Sequence, residues 1–403
     1  MSSRVRFELS RSCLVLLPLV GGGPATVPAR PADLTGVVFL DQNGNGVRDV
    51  GETGIANVAV SDQVQVVATA TDGSFRIPAS TGFGVAYVTV PDGYRAVNGF
   101  WRATDAGGPI GFGLVPAAAP AEFTFVHASD THISEASVAR TQRLGALVDS
   151  VKPAFVLITG DLIRDALRVP EAEATSYFEL FKRETGRFSV PVWNAPGNHD
   201  VFGIERQSSL VSPKHPLYAR GMYHHYLGPD YYSFNFGGIH FVALNTVDID
   251  DQRYYGHVDS VQIAWLARDL ELVPKTTPVV TFNHIPFFTA VETVNGIMDG
   301  GPAPSVITVR GHTSFRHSVW NAGDIVTLLA GRPYPLALGG HMHVREKLRY
   351  EGVATRFYQS AAVIGPTVSS GLTFPSGIVV YRVRAGQIDD GQFVPLGLEG
   401  GAH

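Results

Sequence analysis

The pattern of apolar and polar positions changes character near residue 120. Before it, short apolar runs alternate with turn signals: residues 34–40, 58–60, 64–67, 75–77 and 85–90 read as strands, with Asp72-Gly73 and Pro91-Asp92-Gly93 between them. Several short strands at this spacing predict a β-sandwich over residues 33–116, and the run from Val115 to Pro120 reads as a linker. After residue 121 strands alternate with longer amphipathic stretches. Residues 122–128, 154–158 and a run from Val190 are strands, and helices are predicted over 137–151 and 171–182. Three βα units in succession predict a parallel sheet flanked by helices. Further on, residues 232–236 and 239–244 flank Gly237-Gly238 as a hairpin. A helix over 261–272 precedes strands at 279–282 and 336–338, and residues 290–325 read as a Gly-rich loop insertion.

Composition narrows the class. A chain of 403 residues has room for two domains, and its formal charge of −5 gives no basic footprint for nucleic acid. Arg4, Arg6 and Arg11 precede an apolar run from Cys13 to Val20, with small residues after it. Residues 1–32 therefore read as an export signal and leader, and the expected location is periplasmic or extracellular. No run is long enough for a transmembrane helix. Cys13 is the only cysteine, so the exported protein would use neither disulfides nor thiolate chemistry.

Within the first part, Asp41, Asn43, Asn45, the Val47 carbonyl, Asp49 and Glu52 fall at the oxygen positions of a twelve-residue calcium loop, with Gly46 at the sharp turn. The flanks read as strand and loop rather than paired helices. The alternative is a turn-rich loop that the same residues close through their own Asx hydrogen bonds. Residues 34–90 resemble the B-type repeats of Gram-positive surface proteins, which implies calcium in this loop.

In the second part the polar chemistry gathers where strands end. Asp130 and His132, Asp161, Asn198 and His199, His284, and His341 and His343 each follow an apolar run. In an open α/β sheet such strand ends share one edge, where ligands bind. Three of these positions follow a glycine, which suggests a sharp turn out of the strand. The set offers oxygen and imidazole nitrogen without sulfur, a choice that suits manganese, iron or zinc.

Asp-x-His, Gly-Asp, Gly-Asn-His-Asp, a lone His and Gly-His-x-His, in that order, resemble the calcineurin-like metallophosphoesterase superfamily over residues 121–390. The resemblance implies an α/β four-layer sandwich, two β-sheets flanked by helices, behind the small all-β N-terminal domain. It also implies hydrolysis of phosphomonoesters or phosphodiesters by a hydroxide that two metals activate. Asp130, His132 and His343 would hold one ion, Asn198, His284 and His341 the other, and Asp161 would bridge. His199 would act as proton donor, with Asp200 either orienting it or capping local backbone. The run from Gly160 to Asp165 contains no tyrosine, so the Tyr-ligated ferric centre of purple acid phosphatases is not expected. Arg164 and His224 are candidate substrate contacts, and His225, Arg310, His312 and Arg316 lie in loops that could wall the pocket. A rival class is a non-catalytic exported surface or carbohydrate-binding protein that keeps the fold without the reaction.

Overall fold

The computed structural model describes residues 32–105, 107–292 and 305–398. The expected export run and Cys13 lie outside them. Among the described residues no helix is long and apolar enough to cross a membrane.

Two mixed sheets lie face to face at the centre of the second part. The first orders its strands Val192–Ala195, Phe155–Thr159, Phe123–Ala128, Gly377–Arg384 and Gln387–Ile388, with Gln392–Pro395 also paired to Gly377–Arg384. The first three run parallel, and Gly377–Arg384 joins them antiparallel. The second sheet orders Tyr232–Phe236, Ile239–Leu244, Val279–Asn283, Leu336–Gly339, Arg356–Gln359 and Lys347–Leu348. Alternation along each strand decides which layer a side chain joins. Phe125 and Phe155 turn inward, where their rings stack at 5.5 Å and meet Phe241 of the other sheet edge-on at 5.8 and 5.2 Å. Val126, Val156 and Ile158 turn outward onto helices Val138–Val151 and Glu171–Thr185 through Leu144, Val148, Phe178 and Phe181. On the far side helix Ser260–Glu271 is fastened to the second sheet by Asp269, which meets His240 Nε2 at 2.8 Å. The result is the four-layer order helix, sheet, sheet, helix.

The Gly237-Gly238 turn forms as expected, with φ of 60° and 77° closing the two strands in register. Residues 305–325 differ from expectation. They carry a hairpin, Val306–Val309 with His312–Phe315, and the start of helix Ala322–Leu328. Alternating burial along Val306–Val309 pins that hairpin, a period-2 signal too short to stand out in a glycine-rich run.

The first part holds two four-stranded sheets. One orders Ser74–Ile77, Leu34–Leu40, Ile110–Pro116 and Tyr94–Ala96; the other orders Val66–Ala68, Ala59–Ser61, Val85–Val88 and Trp101–Ala103. Strand Ile110–Pro116 absorbs Val115 and Pro116, so the connecting segment is shorter than the sequence suggests. Buried polar pairs cross to the second part. Gln63 Nε2 donates to Asp230 Oδ1 at 2.7 Å, the Tyr231 hydroxyl donates to the Gln63 carbonyl at 2.6 Å, and Thr89 and Ser233 share a hydroxyl bond of 3.0 Å. One hydrophobic cluster includes Val60, Tyr87 and Phe112 from the first part and Tyr232, Phe241 and Trp265 from the second.

Candidate metal centre

Each candidate ligand sits one to four residues beyond the end of a central strand, and strands from both sheets deliver them to one edge. Asp130 and His132 follow Phe123–Ala128, Asp161 follows Phe155–Thr159, and Asn198 opens the short 3-10 turn Asn198–Asp200 after Val192–Ala195. His284 follows Val279–Asn283, and His341 and His343 follow Leu336–Gly339. Asp130, His132, Asp161, His341 and His343 themselves adopt left-handed backbone, with φ of 54°, 38°, 49°, 72° and 57°. Such conformations cost about 1–3 kcal/mol each and persist only where surrounding structure enforces them.

The glycines act differently from the sequence expectation. Gly160 does take a positive φ, 80°. Gly197, at φ −107°, does not need glycine for its backbone angle; a Cβ there would lie 2.0 Å from the Asp161 nitrogen. A Cβ on Gly340 would lie 1.9 Å from Ser129 Oγ. Close approach of neighbouring loops, rather than turning, excludes a side chain at these two positions.

The side chains form two groups that share Asp161. Asp130, His132, Asp161 and His343 make one set, and Asp161, His284 and His341 the other. His343 Nε2 lies 3.2 Å from Asp130 Oδ1 and 3.3 Å from His132 Nε2. Asp161 Oδ2 is 3.5 Å from His132 Nε2 and 3.2 Å from His284 Nε2. Asn198 Oδ1 adds an oxygen 3.1 Å from His284 Nε2.

Hydrogen bonding tests whether these residues suit a cation. His284 Nδ1 lies 2.8 Å from the Thr159 carbonyl, which can only accept, so Nδ1 carries hydrogen. In the neutral ring Nε2 is then a lone pair. It faces the Asp161 carboxylate, the Asn198 amide oxygen and, at 3.1 Å, His341 Nδ1. The carboxylate and the amide oxygen can only accept, and at this spacing they repel the lone pair unless a positive charge sits among them. The donor set therefore fits a divalent ion.

The ionisation states agree. Burial disfavours the Asp161 anion, but His284 and His199 beside it hold its carboxyl well below the usual range. Burial, reinforced by His199 and His343 against the pull of Asp161, takes His132 down to about 3. Burial, with His284 and His317 near, likewise keeps His341 neutral. His284 moves the other way: burial opposes its imidazolium, yet Asp161 and Asp130 raise it to about 9. A proton on that nitrogen stands where the lone pairs call for a cation.

His199 lines the same pocket, a cavity of about 340 Å³, without joining either set. Its Nδ1 lies 2.9 Å from the Arg164 carbonyl, which fixes the donor there and leaves Nε2 for proton transfer. Its backbone N–H donates to Asp161 Oδ1 at 2.8 Å. Asp200 does not orient the ring. Its carboxylate accepts from the backbone of Gly197 at 2.7 Å, Leu162 at 2.9 Å and Ile163 at 3.2 Å, stapling the Asn198 turn to the Asp161 loop. Of the two roles expected for Asp200, its hydrogen bonds are those of a backbone cap, and it is the Arg164 carbonyl that meets the His199 ring.

Arg164 stands exposed at the pocket mouth. His224 is misplaced as a substrate contact: in helix Gly221–Leu227 it meets Asp230 Oδ1 at 2.9 Å, beside the first part of the chain. His225 shares that helix, and Arg310 and His312 flank the Val306–Phe315 turn. Arg316 is buried over the ring of Tyr254 at 4.8 Å. Two residues escaped the sequence reading. Tyr254 lines the pocket, and His317 Nδ1 lies 2.7 Å from His341 Nε2. Tyr254 stands on the hairpin strand Arg253–Gly256 and His317 in the bend just after His312–Phe315; neither carries a motif, so only the fold reveals them. In the Asp41–Glu52 loop, Asp41 accepts from Gly44 and Gly46 and Glu52 accepts from Gln42 and Asp49. The loop thus closes through its own hydrogen bonds.

Residues 123–345 match the family model described as calcineurin-like phosphoesterase. No curated protein sequence matches the chain. Among solved structures, a dimetal phosphatase from Danio rerio is similar at 16% identity, over 69% of this chain and 97% of that one, with a TM-score of 0.45. A purple acid phosphatase from yellow lupin is similar at 14% identity, over 90% of this chain and 68% of that one, also with a TM-score of 0.45.

Proposed function

Because the chain belongs to the calcineurin-like phosphoesterase family and its strand ends gather two sets of metal-ligating side chains that share Asp161, we propose that the strand-end cluster hydrolyses phosphate esters with two divalent transition ions. Asp130, His132 and His343 would hold one ion, Asn198, His284 and His341 the other, and Asp161 would serve both. The observation that carries this reading is the position of Asp161 Oδ2, 3.5 Å from His132 Nε2 and 3.2 Å from His284 Nε2. A carboxylate placed between two cations offsets their repulsion. Ions held there would draw charge from the phosphoryl oxygens and acidify a water.

The rest is done by the chain. The His199 amide holds the outer oxygen of Asp161, which fixes the carboxylate between the two sets. The His199 ring, held at Nδ1 by the Arg164 carbonyl, presents Nε2 to hand a proton to the departing alkoxide. Imidazole and oxygen donors without thiolate favour manganese, iron or zinc. The non-catalytic alternative is disfavoured because every expected ligand position is filled.

The deciding experiment strips the protein of metal and assays p-nitrophenyl phosphate and bis-p-nitrophenyl phosphate with Mn²⁺, Fe²⁺ or Zn²⁺ restored. Turnover of at least one ester should return with metal, and the ratio of the two rates assigns monoester or diester preference. Failure of every metal to restore either activity overturns the proposal.

A further inference from the structure

A second and larger cavity, of about 1000 Å³, opens at the opposite edge of the first central sheet. It is lined where the strands Phe123–Ala128, Phe155–Thr159 and Val192–Ala195 begin, whereas the metal ligands stand where they finish. Six residues of Phe123–Ala128 separate the two edges, a distance of about 20 Å. The strand Tyr94–Ala96 and the connecting segment at Ala117, Ala118 and Pro120 complete the walls.

The floor is aromatic. Trp193 stacks on Phe234 at 4.0 Å and meets Phe100 at 4.9 Å, and Phe100, Trp193 and Phe236 are only half-buried. Water-facing rings in a concave site of this size are what an apolar body displaces water from. The rim is cationic: Arg95, Lys152, Arg382 and Arg384 line it, all exposed, and none has a carboxylate partner among the described residues. One carboxylate, Glu122, stands against these four cations. This sign runs against the chain as a whole, whose formal charge is −5.

We propose that this cleft binds a small amphiphilic anion, an acyl or aryl acid, with its apolar body on the Phe100–Trp193–Phe236 floor and its acid group among Arg95, Lys152, Arg382 and Arg384. Complementary charge selects the ligand's sign, and the aromatic floor supplies most of the area it buries. The site is independent of the phosphoesterase centre and needs no metal.

Decanoate, decyltrimethylammonium and decyl glucoside, each below its micelle concentration and at low salt, separate the contributions in calorimetric titrations of the full chain. Decanoate should bind one per chain and change tryptophan emission, with the cationic and neutral probes weaker by about tenfold or more. Reversing the rim with Arg382→Glu and Arg384→Glu should weaken decanoate by about tenfold and leave p-nitrophenyl phosphate turnover unchanged. Equal binding of decanoate and decyltrimethylammonium overturns the proposal, as does no saturable decanoate binding. Full decanoate affinity in the reversed chain overturns it too. The wild-type probe series stands even if the double variant folds poorly.

Discussion

Replacing His199 by alanine removes a ring that belongs to neither ligand set, so metal content should stay near the wild-type level. Turnover should fall by about 10²–10⁴-fold, most for esters with poor leaving groups, because the lost step is protonation of the alkoxide. Asn198→Ala removes an oxygen beside His284 Nε2 and should weaken metal retention on dialysis. Equal metal loss in both variants would contradict the division of labour. These neighbours illustrate what could be read at the residue scale. Asn198 and His199 were legible because they stand in a motif at a strand end. Asp200, in the same motif, has its role decided by backbone amides of Leu162 and Ile163 that are remote in sequence. His317 touches His341 from the bend that follows the strand His312–Phe315, whose path no local pattern announces.

At the scale of elements, the ligand loops interlock through close backbone approach. Gly197→Ala places a methyl group 2.0 Å from the Asp161 nitrogen, so the Asn198 turn or the Asp161 loop must move. Although Gly197 offers no ligand atom, the variant should lose metal and activity together, as measured by metal analysis and ester turnover. Strand ends and their order were legible from apolar runs followed by polar residues. That the ligands rather than the glycines carry most of the left-handed backbone was not, because propensity would place glycine there. The Asp41–Glu52 loop offers a parallel test. If calcium adds to its internal hydrogen bonds, the melting temperature rises with Ca²⁺ and the rise vanishes in Asp41→Ala. A rise that survives the substitution places the ion elsewhere.

For the whole molecule, the polar network between the first and second parts predicts a single cooperative unfolding transition by calorimetry. Asp230 is its hub, meeting Gln63, His224 and Asn245 at 2.7, 2.9 and 2.7 Å. Burial opposes its charge, but His224 and Arg220 hold the carboxyl well below the usual range. A group depressed in the folded state contributes stability above its unfolded value and loses it as pH falls toward the folded one. Asp230→Asn should therefore destabilise by about 3 kcal/mol at neutral pH, and its gap from wild type should narrow on acidification below about pH 4. The fold class was legible from the switch between short strands and βα units. The fusion of the two parts was not, since it rests on buried polar pairs such as Gln63 with Asp230 that carry no periodicity.

In the first central sheet His127 pairs with Val379 across most of the chain's length. At a synthesis rate of about 5–20 residues per second, the strand that leads to Asp130 waits on the order of tens of seconds for its neighbour to leave the ribosome. Throughout that interval one edge of Phe123–Ala128 is an open template for other nascent chains. Birth order therefore sets a window of vulnerability, and a chain interrupted before residue 377 cannot close it.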